Sequence, residues 1–265
     1  MASRTKQKEE ARARRLAEEQ ARAEREQRTR RLQMLAGVVV VAVVIVVVAI
    51  AISSSGGGSP SAPNSASARQ SASTVNSLLA GIQQSGSTLG SPAAKVTITE
   101  FGDLQCPVCR DFALGAENNL ISSDVRSGKV KLVFRSLETA SGNGPDPGVF
   151  PTQQAAALAA GLQAKAWNYI ELFYHQQGAE GTAYVTQNYL QGLARQIPGF
   201  DFAKWQSDSK SPTLVAQVTQ DQQLAASQGY NSTPTIVVQG PKGKAQPIVG
   251  NTDYGTLQTA IKSVQ

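Results

Sequence analysis

The sequence predicts an α/β domain that carries a helical insertion and is preceded by a single transmembrane helix. Three observations predict it. An uncharged apolar run extends from Met34 to Ile52, a Ser/Gly/Ala/Pro-rich tract follows it, and β-branched segments at 96–101, 129–134 and 235–239 bracket a long helical block.

Taken in order, residues 1–33 form a basic helical segment rich in Ala, Glu, Arg and Gln. Residues 1–31 hold eleven Lys or Arg against six Glu, whereas the remaining chain is nearly balanced, so the net charge of +6 sits at one end. That placement argues against a nucleic-acid surface on the folded part. The nineteen residues from Met34 to Ile52 span ~28 Å as a helix, close to the thickness of a hydrocarbon core. They are longer than the apolar region of a cleaved leader and are preceded by more than thirty residues, so an uncleaved anchor is expected. Arg28, Arg30 and Arg31 crowd its N-terminal flank and no charge follows until Arg69, which places the N-terminus in the cytoplasm and the rest outside the cell membrane. Residues 53–91 read as a flexible linker, with a possible short helix at 74–84 from the spacing of Val75, Leu78, Leu79 and Ile82.

Residues 92–265 are long enough for a core of their own. VTITEF (96–101) is a strand, helix starts at the first cysteine, and KVKLVF (129–134) is a second strand. A Gly/Pro-rich loop occupies 138–150, one helix covers 151–177, and further helices lie at 183–196, 201–206 and 212–228. Strands at 235–239 and 245–249 flank Gly-Pro-Lys-Gly as a hairpin, and a last helix runs over 253–262. Trp167, Tyr169, Phe173 and Trp205 are assigned to the core of the insertion and His175, the only histidine, to a helix surface or rim.

The chain's two cysteines, Cys106 and Cys109, stand in the segment EFGDLQCPVCRDF. Zinc normally needs four ligands, and no second ligand pair exists at a recognisable spacing. A structural bridge across so short a loop would stabilise little. A dithiol that cycles with its disulfide remains. Cys106 opens a helix, where unpaired N–H groups and the dipole favour a thiolate, and Pro107 takes the next position, where its missing N–H costs nothing. Cys106 is thus the attacking sulfur and Cys109 the resolving one. Glu100 shares a strand face with Val96 and Ile98; its carboxylate is either buried or reaches water at the strand's end. Asp103 reads as a turn residue.

The segment VTITEFGDLQCPVCRDF resembles the active-site region of DsbA-like thioredoxin-fold oxidoreductases. GYNSTPTIVVQG is similar to that family's cis-proline loop, and the block 138–228 falls where the family inserts a helical domain into the thioredoxin fold. The resemblance covers about 92–265. It implies that Thr233-Pro234 is a cis peptide facing the cysteines and that Glu100 is the acidic residue below the site. It also implies no cofactor, exported cysteine-containing protein substrates, and a membrane quinone-linked reoxidising protein of the DsbB or vitamin K epoxide reductase type. Between the cysteines stand Pro107 and Val108, where the best-studied members have Pro-His. No imidazole adjoins the thiolate, which leaves a reductase or isomerase as the rival to a disulfide-forming oxidase. A tethered peptide-binding or holdase module with incidental cysteines is the rival from another class.

Overall fold

The computed structural model describes residues 65–265. The basic segment 1–33, the apolar run 34–52 and the tether up to residue 64 lie outside the described residues. No helix among the described residues is long and apolar enough to cross a membrane.

Helix α1 (Ala66–Leu79) starts eight residues before the expected 74 and ends five before the expected 84. Ser65 caps it, its Oγ accepting from the Ala68 N–H at 3.1 Å, and Ala68, Val75 and Leu79 are buried. The Arg126 guanidinium donates to the carbonyls of Ala80 (2.9 Å) and Leu78 (2.6 Å), satisfying groups the helix end leaves open. Residues 65–91 therefore pack on the domain instead of tethering it. A short hairpin, β1 (Gln84–Ser85) and β2 (Thr88–Leu89), extends the sheet beyond the strands expected from sequence.

The centre of the sheet is β3 (Val96–Gly102), parallel to β4 (Val130–Ser136) and antiparallel to β5 (Thr235–Gly240). The strand order is β1-β2-β4-β3-β5-β6, with β7 also paired to β5. The strand expected at 245–249 is instead two short ladders, β6 (Gly243–Lys244) and β7 (Ile248–Val249), either side of Pro247. Proline has no N–H to give a ladder, so the pairing breaks there.

Helix α2 (107–125) links β3 to β4. Its hydrogen bonding widens to i→i+5 over Ala113–Glu117 and again over Ile121–Val125. The single helix expected over 151–177 is two, α3 (Val149–Gly161) and α4 (Ala166–His175). The break is at Ala164, whose φ is 53°. The N–H groups of Ala164 and Lys165 turn back to the carbonyls of Gly161 and Ala160, both at 3.0 Å. Gly161 is required here, since a Cβ would lie 2.8 Å from the carbonyl oxygen of Gly86. Four more helices follow: α5 (Gln187–Ala194), α6 (Phe202–Asp208), α7 (Pro212–Ser227) and α8 (Tyr254–Val264).

One sheet face carries Val96, Ile98 and Glu100, with Leu132, Phe134, Ile236 and Val238 in register beside them. On the other face Phe101, Leu137 and Val237 pack with Ala225 of α7. Trp167, Tyr169, Phe173 and Trp205 are buried as expected. The polar tips of three of these find carbonyls: Trp167 Nε1 at Ser87 (3.0 Å), Trp205 Nε1 at Ala156 (2.8 Å) and the Tyr169 hydroxyl at Leu190 (3.1 Å). Arg135 and Ser136 of β4 both donate to the buried Asp221 carboxylate, which ties α7 to the sheet.

Candidate active site

The turn that follows β3 sets the position of Cys106. Asp103 is fully buried, and its carboxylate accepts from the N–H groups of Gln105 (3.0 Å), Thr139 (2.9 Å) and Ser141 (2.8 Å) and from Gln153 Nε2 (3.2 Å). It is the turn residue expected, and it also staples the start of the insertion to the cysteine loop. A second clamp comes from beyond α4, where Gln177 Nε2 donates to the carbonyls of Leu104 (2.7 Å) and Cys106 (3.1 Å). Sequence spacing gave no sign of either long-range clamp, because each joins residues more than thirty positions apart.

Cys106 occupies the N-cap of α2 with φ −72° and ψ 119°, and Pro107 stands at the first helical position. The cysteines are unbridged here. Cys106 is 5 % exposed and Cys109 fully buried, while Val108 between them is 39 % exposed and forms the outer lip. The Thr233–Pro234 peptide is cis, and the Cys106 thiol lies 3.6 Å from the Thr233 carbonyl oxygen. The Thr233 hydroxyl is hydrogen-bonded to the Thr139 hydroxyl. Thr139, from the loop after β4, therefore orients the hydroxyl next to the sulfur, a role its place in the sequence did not signal.

This geometry separates the two thiols. The Cys106 pKa falls to about 6: the Cys109 thiol donates to its sulfur, and the Thr233 hydroxyl and the backbone N–H groups of Cys109 and Val108 add to this, against an opposing cost of burial. The Cys109 pKa is pushed up, first by burial, then by the hydrogen bond it gives to Cys106 and by the nearby Glu100. At neutral pH the outer sulfur is a thiolate and the inner one a thiol.

Glu100 is 2 % exposed, which resolves its two readings in favour of burial. It lies between Phe134 and Ile236 on the sheet face. Its pKa is raised well above the carboxylate range by burial first, then by Glu117, Glu171 and Cys106. His175 is half-buried beside Arg110 and has its pKa lowered, chiefly by burial. A shallow groove of about 350 Å³ opens over Cys106 and is lined by Pro107, Val108, Thr139, Asn143, Glu180 and Thr233 among others. The arrangement can exchange a disulfide with a chain lying along the cis-proline loop.

A family model described as thioredoxin matches residues 83–263. The probable disulfide bond formation protein D of Bacillus anthracis is 25 % identical over 175 residues, covering 66 % of this chain and 76 % of that protein. Among solved structures, oxidised BdbD from Bacillus subtilis superimposes with a TM-score of 0.58 at 22 % identity, over 68 % of this chain and 95 % of that one. A thioredoxin-like oxidoreductase from Silicibacter pomeroyi DSS-3 gives 0.51 at 28 % identity, over 66 % and 90 %.

Proposed function

Because the chain belongs to the thioredoxin family, we propose that this thiol:disulfide oxidoreductase works in the oxidising direction, passing the Cys106–Cys109 disulfide to cysteine-containing proteins exported from the cytoplasm. The observation that carries the reading is the asymmetry of the pair, a stabilised thiolate at Cys106 above a buried thiol at Cys109. Stabilising the reduced form is what makes a dithiol an oxidant. The similarity to a probable disulfide bond formation protein supports the same direction.

A substrate thiolate attacks Cys106 Sγ, the Cys106–Cys109 bond breaks, and a mixed disulfide forms on Cys106. A second substrate thiolate then attacks its own bridged sulfur and releases Cys106. The substrate leaves oxidised and the enzyme dithiol is reduced. A membrane quinone-linked protein of the DsbB or vitamin K epoxide reductase type restores the disulfide. Pro107 and Val108 shape the groove over the pair, and Thr233 and Pro234 present a backbone edge to the substrate.

The reduction potential of the pair in the full chain, equilibrated against glutathione, tests the direction. An oxidase is expected to fall near ~−120 to −180 mV, and a value near ~−270 mV would replace this reading with that of a reductase. The apolar run 34–52 and its arginine-flanked end support an anchor that holds the domain outside the cytoplasm. Whole cells reduced with dithiothreitol, washed and treated with a membrane-impermeant thiol reagent are expected to be labelled at Cys106. Labelling only after lysis would remove the extracytoplasmic placement.

A further inference from the structure

Beneath Cys109 the fold buries more acid than the exchange reaction uses. Glu117 of α2 is 1 % exposed, and Glu171 and Tyr174 of α4 are fully buried. Both Glu171 oxygens and the Tyr174 hydroxyl have no hydrogen-bond partner among the described residues, and the carboxylates are in no ion pair there. Burying unpaired carboxylates as anions is costly, so protons must neutralise them. Glu100 and Glu117 are near neighbours, and both Glu100 oxygens and Glu117 Oε2 also lack a hydrogen-bond partner among the described residues; burial raises the pKa of each, Glu117 to about 8, so at neutral pH each carries its own proton.

The wide turns of α2 explain why Glu117 reaches this position. In a regular α-helix, a residue eight places after Cys109 is turned away from it by about 80°. The i→i+5 stretch over Ala113–Glu117 puts more residues in each turn and cuts that offset. Glu117 comes round towards the face of Cys109, and Tyr174 is close enough to feel both cysteines, Glu100 and Glu117. The remaining neighbours of Glu100 on the sheet are Phe134 of β4 and Ile236 of β5, which carry no charge. His175, next on α4, is half-buried with its Nε2 unpartnered among the described residues, and its pKa is lowered by burial and by the charge of Arg110. No group of donors among the described residues is arranged to hold a metal.

We propose that Glu117 and Glu171 extend Glu100 into a buried proton store, which holds a proton while Cys109 is in the disulfide and hands it over when the disulfide opens. This rests on the oxidoreductase reading. When a thiolate attacks Cys106, the electron pair of the broken S–S bond leaves on Cys109 Sγ. That sulfur takes the proton of Glu100, and Glu100 is reprotonated from Glu117, so the negative charge ends on the Glu117 carboxylate. When the disulfide reforms, Cys109 loses its proton along the same path in reverse. Glu171 and Tyr174 are fully buried neighbours of Glu117. Glu117 and Glu171 touch no substrate and are positioning residues, acting through Glu100.

The test follows the opening of the Cys106–Cys109 disulfide by excess glutathione in the full chain, from pH 6 to 9, corrected for ionisation of glutathione. Burial holds the Glu117 pKa at about 8, so the wild-type rate is expected to be level below that pH and to fall above it. Glu117→Gln is expected to slow opening about tenfold at pH 7 and to abolish the limb near pH 8, while Glu117→Asp restores it. The titration of the Cys106 thiolate near 6 is expected to stay in place in both variants. An unchanged corrected profile in Glu117→Gln overturns the proton store while leaving the exchange reaction standing; a wild-type disulfide that glutathione does not open is instead a failure of the oxidoreductase reading. Should the variants not fold, infrared difference spectra of wild type decide. Reduction at pH 7 is expected to remove carboxylic-acid absorption and leave carboxylate, and no such change overturns the proposal.

Discussion

Cys106→Ser is expected to abolish thiol–disulfide exchange, lowering the rate by about three orders of magnitude or more. The reason is geometric. Cys109 is fully buried, and its ionisation is opposed by burial and by Glu100, so it cannot replace the outer sulfur as nucleophile or as point of attack. Serine fills the same space beside the Thr233 carbonyl, which leaves the fold intact and makes the loss chemical. The companion observation on wild type is the pH dependence of the reduced form. The Cys106 pKa is depressed from the ordinary thiol range to about 6. Its contribution to the stability of the reduced fold is therefore complete above ~8.5 and is lost as the pH falls through about 6. Thiolate absorbance of the reduced chain is expected to follow the same curve and to be flat over that range in Cys106→Ser, and the denaturation profile of that variant is expected to lack the Cys106 step near 6 while keeping the dependence that the buried acids impose. A variant that retains exchange removes Cys106 from the chemistry.

What could be read from the sequence was whatever local pattern determines. Alternation and β-branching mark 96–101 and 129–134 because those strands are at the centre of the sheet, with one face wholly buried. The cysteine pair, Pro107 at the helix start and the Thr233-Pro234 loop are short motifs whose spacing carries their geometry. Helix α1 was taken partly for linker because its first turns, ASARQSA, have the composition of the tract before them. What fixes it is Arg126, nearly fifty positions away. The split of 151–177 into α3 and α4 was hidden for a similar reason. Neither Gly161 nor Ala164 breaks a helix by type, and the need arises only where Gly161 meets the backbone of Gly86.

The site shows the same division. Glu100 was legible as a candidate because its strand face was, but its burial depends on Phe134 and Ile236, contributed by two other strands. Thr139 and Gln177 touch the cysteine loop from the insertion and carry no motif. Glu117 stands in no motif. Only the widened turns of α2 bring it inward, and i→i+5 bonding has no residue signature that a single sequence displays.

Cys109→Ala is the prediction that separates chemistry from mere binding. In wild type, a mixed disulfide on Cys106 has two ways to resolve: a second substrate thiol releases an oxidised product, or Cys109 attacks Cys106 Sγ and the substrate leaves reduced. Cys109→Ala removes the second route. Alanine suits this position because a serine hydroxyl would be left in a fully buried place beside a carboxyl cluster that already lacks partners. The Cys106 sulfur also loses the hydrogen bond that contributes most to its low pKa, so its thiolate titration is expected to move upward towards the ordinary range. Adducts are therefore expected to form more slowly at pH 7 than the wild-type thiolate would allow, but to persist once formed. Expressed as the full chain, the variant is expected to carry client proteins bound through Cys106 that dithiothreitol releases, and Cys106→Ser/Cys109→Ala is expected to carry none. A folded Cys109→Ala protein with no such adducts, whose groove still binds unfolded chains, would transfer the activity from exchange to peptide binding. Persistent adducts that vanish with the second substitution place the bond on Cys106, in the groove lined by Val108 and Thr233.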